Sequence, residues 1–307
     1  MCPPPVTARV TGGNSRDTTM GMNDRQDWTV PVIGFLLWVP AMTGAAHEWA
    51  NGSYYDYGWV VPPLALWLWL RRWGDGAAGP PLRTPSTRVL WVAAAGLLPW
   101  FTLLRVLSHA DPAWRLPVAL AGGTAAVAGH LLLAGYVGWK RSAGFWRITL
   151  FSASALPLPT VVESRVVQTL TDAVLAVVAR LFAMAGEPVV VSGELLMRNG
   201  VVVEVSEDCS GIRSFLWFVM GTWLFAELYR LAWRQVLALL AWAAGMAFVI
   251  NVVRAWTLAQ ARFTFGEEAF QTAHDWAGLV AFVISALLFR KFSILLSSAG
   301  GGKLGQR

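Results

Sequence analysis

Apolar stretches of near-bilayer length recur along this chain, and every second connection between them is marked by lysine and arginine. The stretches fall near Trp28–Ala46, Gly58–Leu70, Val89–Leu107, Leu116–Trp139, Phe145–Leu158, Gly211–Tyr229, Trp233–Val253 and Trp276–Phe289. A helix needs about 20 predominantly apolar residues to cross a hydrocarbon core. Composition agrees: the 307 residues are 56% hydrophobic and 14% charged, with 18 Trp and a mean hydropathy of +0.51. A soluble domain carries roughly 25% charged residues. The expected fold is therefore an all-α polytopic membrane protein with about eight transmembrane helices.

The basic clusters are Arg71/Arg72/Arg83/Arg88, Lys140/Arg141/Arg147, Arg230/Arg234 and Arg290/Lys291/Lys303/Arg307. The connection from His47 to Tyr57 lacks Lys and Arg and holds Glu48 and Asp56. Cytoplasmic loops carry the Lys/Arg excess, so both termini are expected inside, in a cytoplasmic (inner) membrane. The net charge of +6 is thereby an orientation signal and not a nucleic-acid surface. Residues 1–27 are polar, contain Pro and Gly, lack the apolar run of a cleavable leader, and are expected to be a disordered cytoplasmic tail. Residues 28–295 form a single transmembrane domain on this reading, and residues 296–307 a flexible cytoplasmic tail. Cys2 and Cys209 would then face opposite sides and could not pair.

One segment, about 160–209, is different in kind. Val161–Met184 is apolar, but Glu163, Arg165, Gln168, Asp172 and Arg180 interrupt it. Charges at the bilayer centre cost several kcal/mol each. The segment is expected as an amphipathic helix on the extracytoplasmic surface, or partly re-entrant. From Pro188 the period shortens, and runs of Val and Leu flank Asn199-Gly200. That pattern predicts a small extracytoplasmic β-hairpin, leading directly into Cys209.

Glu207-Asp208-Cys209-Ser210-Gly211-Ile212-Arg213-Ser214 is a polar knot closed by an apolar run. A cysteine at a water boundary and a helix N-terminus is placed for thiolate chemistry, since the helix dipole favours the anion. The next helix runs inward, and the one after returns over roughly 30 Å at 1.5 Å per residue. It delivers Asn251 and Arg254 to the outer face, and His274 opens the last span. Cys209, Arg254 and His274 are thus expected at one depth, a set suited to thiol acyl transfer. The thiolate attacks a carbonyl, the histidine moves the proton, and the cation stabilises the oxyanion or anchors substrate. Arg254 could instead be an arginine snorkelling at a helix end.

These residues resemble a known family. The Cys209 motif, Asn251-Val252-Val253-Arg254 and His274-Asp275-Trp276-Ala277-Gly278 look like the three motifs of the exosortase/archaeosortase family, integral membrane sorting enzymes of transpeptidase type. Asp56-Tyr57-Gly58-Trp59-Val60-Val61-Pro62 and Pro157-Leu158-Pro159 extend the resemblance to roughly residues 30–290. Many members have Ser-His-Gly where this chain has Asp56-Tyr57-Gly58. The resemblance implies Cys209 as nucleophile, Arg254 as cation and His274 as acid/base, with Asp208, Ser210, Gly211, Arg213 and Asn251 supporting them. It implies protein substrates with a C-terminal signal: a short motif such as Pro-Glu-Pro, an apolar helix and basic residues. Cleavage on the extracytoplasmic face would precede transfer to an acceptor that the resemblance does not name.

Other residues have plainer readings. His130 is expected as a buried hydrogen-bonding partner in helix packing, and His47 and His109 as lesser alternative bases. Glu207 and Asp208 suit a helix cap, and Ser210 is a weaker nucleophile than its neighbour. Trp59, Trp67, Trp69, Trp91 and Trp100 are expected in an interfacial belt. No metal-ligand cluster or nucleotide motif stands out, so neither metal nor cofactor is expected. Two other classes share parts of the pattern. A hydrolytic membrane cysteine protease would use the same residues with water as acceptor. A non-enzymatic transporter or scaffold would need polar residues along the bundle axis, whereas here they gather at one face.

Overall fold

A computed structural model describes residues 28–52, 54–75, 86–204 and 211–301. The chain is an all-α polytopic membrane protein carrying one small sheet. Helices α1 (Thr29–Leu36) and α2 (Val39–Asn51) form a pair bent by 42°. Pro40 explains the break, because it has no N–H to give and its ring displaces the carbonyl four residues back. After a 3-10 turn at Asp56–Val60 come α3 (Val61–Gly74), α4 (Thr87–Ala110) and α5 (Leu116–Val137). A short α6 (Trp139–Ser142) leads through a 3-10 turn to α7 (Trp146–Ala153). Then follow α8 (Thr160–Met184), strands β1 (Val190–Ser192), β2 (Leu195–Arg198) and β3 (Val201–Glu204), and helices α9 (Ile212–Leu228), α10 (Trp233–Phe265) and α11 (Glu267–Gly301).

Five of these helices are long and apolar enough to cross a membrane, or six if the bent α1–α2 pair is one span. The expected fifth span is realised as α7, only eight residues long. Helix α11 continues to Gly301, past the expected start of a tail after residue 295, and Gln235 Nε2 donates to the Leu296 carbonyl at 2.5 Å. The tail residues 1–27 lie outside the described residues. Trp69, expected in the interfacial belt, is instead buried and stacked on Phe145, whereas Trp59, Trp67, Trp91 and Trp100 are exposed.

Two ends of the bundle are distinct. At the basic end, Arg72 pairs with the buried Glu227 at 2.8 Å, Arg230 with Asp75 at 2.9 Å, and Arg147 donates to the Leu231 carbonyl at 2.6 Å. Three of the basic connections thus meet on one side. At the opposite end Arg115 bridges Glu163 at 2.5 Å and Glu48 at 2.9 Å. Burial acts to lower the pKa of Arg115, but the two carboxylates outweigh it and hold the guanidinium charged. Tyr55 donates to Glu163 at 2.5 Å and accepts the Leu158 N–H at 2.9 Å. Burial first, then the Glu163 contact, pushes its hydroxyl pKa far up, so it stays a donor. Trp49 Nε1 donates to the Ala155 carbonyl and the Tyr57 hydroxyl to that of Ser154, both at 2.7 Å. The segment leaving α7 is therefore pinned by three aromatic side chains.

The charges of α8 are accommodated along its length. Glu163 is buried in the Arg115 knot, and Val167 joins the main apolar core with Ile212 and Leu216. Val174, Leu175, Val178 and Phe182 pack with Val252, Ala255, Leu258 and Ala259 of α10. Phe182 meets Trp256 and Phe263, farther from the basic end than Asn251. Although α8 is among the five helices of spanning length, its packing carries it away from the basic end and not back across the bundle. The expected hairpin is the β2–β3 half of a three-stranded antiparallel sheet, order β1-β2-β3. Asn199 and Gly200 have φ of +50 and +82, as a two-residue hairpin turn requires. Leu196 and Val203 seat the sheet on α8 and α10.

Removing the Arg115 cation would leave two buried carboxylates facing each other. Arg115→Leu is expected to lower unfolding stability by about 3–5 kcal/mol, and Tyr55→Phe by about 1–3 kcal/mol through its two lost hydrogen bonds. Thermal unfolding in detergent should rank the two in that order.

Candidate active site

The first residue to consider is a glycine. Gly211, the N-cap of α9, has φ +79, and a Cβ there would meet Cβ and Cγ of Asn251 at 3.0 Å. Left-handed backbone and close approach both favour glycine. Asn251 is buried in α10 at that contact. Two residues on, Arg213 pairs with Asp56 at 2.5 Å, and Trp217 Nε1 donates to the other Asp56 oxygen at 3.3 Å. Trp217 lies between Tyr57 and Phe282 of α11. The start of α9 is thus held between α10 on one flank and the Asp56–Val60 turn on the other.

Arg254 lies three residues beyond Asn251, on the same face of α10. Its Nε is buried and has no hydrogen-bond partner among the described residues. Leaving such a donor unmet costs about 1–3 kcal/mol, so an incoming oxygen would be favoured there. His274 is half-buried in α11, its ring 6.2 Å from that of Phe270. It lines a cavity of about 460 Å³ with Val202, Glu204, Arg262, Glu267 and Gln271. Arg262 and Glu267 form an ion pair across the corner where Gly266, at φ +86, turns α10 into α11.

The three levels are close but not equal. Arg254 stands about 4.5 Å beyond Asn251 at 1.5 Å per residue. Counted from the Gly266 corner, Arg254 is 12 residues back and His274 eight residues on, so His274 stands roughly 6 Å farther out. For Arg254 and His274 the expected single depth becomes a ladder rising along α10 and α11. Cys209, Asp208 and Ser210 lie outside the described residues, as does Glu207 with its capping role.

His130 is buried, hydrogen-bonded to Ser142 at 3.0 Å and Thr149 at 2.8 Å, and stacked on Trp146. It braces α5 against α6 and α7, as expected. His47 and His109 are exposed on α2 and α4, whose main packing partner is α5. Among the described residues no group of three His, Cys, Asp or Glu side chains could hold a metal ion.

The model of the transmembrane exosortase family matches residues 49–290. The chain belongs to this family. The match runs from the end of α2 into α11, and so takes in the aromatic pins, the Asp56 clamp, the α9 start, Arg254 and His274. No curated protein and no solved structure matches the chain. As an exosortase it is a multi-pass membrane protein of a family tied to the processing of protein sorting signals.

Sequence reading missed the Asp56–Arg213 pair and the cavity beside His274. The pair joins positions 157 residues apart, and no local pattern encodes such a distance. The cavity's Arg262 and Glu267 flank a glycine five residues apart, which was a readable sign of a tight corner. Gly211→Ala should cost about 1–2 kcal/mol from left-handed strain alone. The half-exposed Asp56–Arg213 pair should be worth under ~1 kcal/mol in Asp56→Asn. Thermal unfolding of both variants checks the difference.

Proposed function

We propose that this exosortase cleaves membrane-tethered proteins at a C-terminal sorting signal, using Cys209 as nucleophile, Arg254 as oxyanion or substrate cation and His274 as acid/base. The observation that carries this reading is the contact of Gly211 with Asn251. Gly211 follows Cys209 by two residues, and two peptide units reach at most about 7 Å. Asn251 in turn is one helical turn from the Nε of Arg254, which is unmet among the described residues. The cysteine motif and the arginine motif therefore share one neighbourhood.

The chemistry follows from the residue types. The Cys209 thiolate adds to the carbonyl carbon at the cut site, and the negative charge that gathers on the oxygen is met by Arg254. Collapse breaks the C–N bond, His274 gives its proton to the leaving amine, and a thioester remains. An acceptor amine then attacks the thioester, loses a proton to His274 and releases the thiolate in a transpeptidation. Water in the same role would give hydrolysis. The helix start and the nearby Arg213 favour the thiolate, and Asp56 balances the Arg213 charge.

By Lys/Arg bias, the basic end faces the cytoplasm with both termini, in the inner membrane, and the Arg254 end faces outside. The amphipathic α8 and the sheet then form an extracytoplasmic cap. The substrates are proteins with a Pro-Glu-Pro-like motif, an apolar helix and basic residues, whose helix lies in the bilayer beside the bundle. Residues 28–295 act as one transmembrane domain.

Processing of a reporter bearing such a tail, co-expressed in membranes, tests the assignment. Cys209→Ala should abolish it, and unchanged processing would overturn the mechanism. His274→Ala should slow it by about 10²–10⁴-fold, and Arg254→Ala by about 10²–10³-fold. The mass of the product's new C-terminus distinguishes a free acid from an acceptor conjugate. An impermeant maleimide should label Cys209 on intact cells; labelling only after lysis would reverse the orientation.

A further inference from the structure

Among the described residues the sheet order β1-β2-β3 gives β3 a single neighbour, so one edge of Val201–Glu204 faces no strand there. The two-residue Asn199-Gly200 turn makes Arg198–Val201 a hydrogen-bonded pair, and bonded and non-bonded pairs alternate from there. Leu196–Val203 is then bonded, while Met197–Val202 and Leu195–Glu204 are not. The N–H and C=O groups of Val202 and Glu204 therefore point to the free edge. Among the described residues neither makes a backbone hydrogen bond outside the sheet. Edge strands left like this invite pairing with another chain unless proline, lysine or a covering element blocks them. Val201-Val202-Val203-Glu204 contains neither proline nor lysine.

The edge also borders a chamber. Val202 and Glu204 form one side of the cavity of about 460 Å³, whose other side holds Arg262, Glu267, Gln271 and His274. All of this lies beyond Arg254, away from the basic end, whereas a membrane-embedded leaving fragment would stay on the near side. β3 ends five residues before Cys209 in the chain.

We propose that the free edge of β3 is the docking strand for the substrate polypeptide: the extended stretch on the acyl side of the cut adds as a fourth strand over this cavity. Its backbone bonds to Val202 and Glu204, a mode that tolerates varied side chains. Its polar side chains enter the cavity toward Arg262, Glu267 and Gln271. This rests on the assignment of Cys209 as nucleophile for its function but not for its geometry.

Two measurements on the full-length protein in membranes separate the possibilities. In a Cys2→Ser/Cys209→Ala background carrying Val202→Cys, single cysteines are scanned through the residues upstream of the cut in the tail-bearing reporter. Disulfide yield should peak at every second reporter position, as strand pairing requires. A period of three to four, a flat profile or no cross-link overturns the proposal, whether or not the protein turns over. Second, Val202→Pro removes the outward N–H at a position where an edge strand tolerates proline. It should lower kcat/KM about 10-fold or more, through KM, whereas Val191→Pro, on the opposite edge of the sheet, stays within about 2-fold. Equal processing by wild type and Val202→Pro overturns strand addition alone, while processing that survives Cys209→Ala overturns only the nucleophile assignment.

Discussion

A guanidinium held between two carboxylates, out of water, fixes what the far half of this molecule can do. Arg115 joins the end of α2 through Glu48 to the first turn of α8 through Glu163. Such a knot repays its desolvation only when its geometry is good and its remaining atoms are bonded. Tyr55 supplies one of those bonds and ties in the segment that leaves α7. With its first turn anchored there, α8 has α10 as its continuing partner, and the apolar stripe from Val174 to Phe182 follows that path. The sheet then rests on the surface the two helices share. The region that looked too charged to cross a membrane owes its course to one of those charges.

The long helices supply the second layer of the design. α9 is short, and its start is wedged between an asparagine of α10 and the Asp56 clamp. α10 and α11 run past it and close at Gly266, so Arg254 and His274 stand on continuous helices and not on loops. Side chains on such elements keep their positions better than side chains on loops. Beneath them the exposed surface is apolar, and above them β3 and the α10–α11 corner enclose a polar chamber.

Much of this was readable from the chain. Runs of apolar residues and the spacing of Arg71, Lys140 and Arg230 gave the bundle and its two unlike ends, because bilayer thickness and charge bias act on short windows. Asn199-Gly200 gave the hairpin turn for a similarly local reason. The third strand escaped notice because Val190–Ser192 is only three residues long. Helix ends proved less legible: α11 runs on to Gly301, held partly by a glutamine of α10. Trp69 was misplaced because a tryptophan in an apolar helix reads alike toward lipid and toward Phe145. At the site, motif spacing singled out Asn251, Arg254 and His274, but the clamp that Asp56 places on Arg213 and Trp217 joins segments more than a hundred residues apart. Tertiary pairing of that kind leaves no trace in a single sequence.

The unbroken length of α10 has a mechanical consequence. Between Trp233, at the basic end, and Arg254 lie 21 helical steps, about 32 Å at 1.5 Å per residue. That interval is close to the thickness of a hydrocarbon core, and it cannot stretch. Any chain presented to Arg254 from within the bilayer is therefore gauged against a fixed ruler, and its own apolar segment must match that length for its polar junction to arrive at the guanidinium.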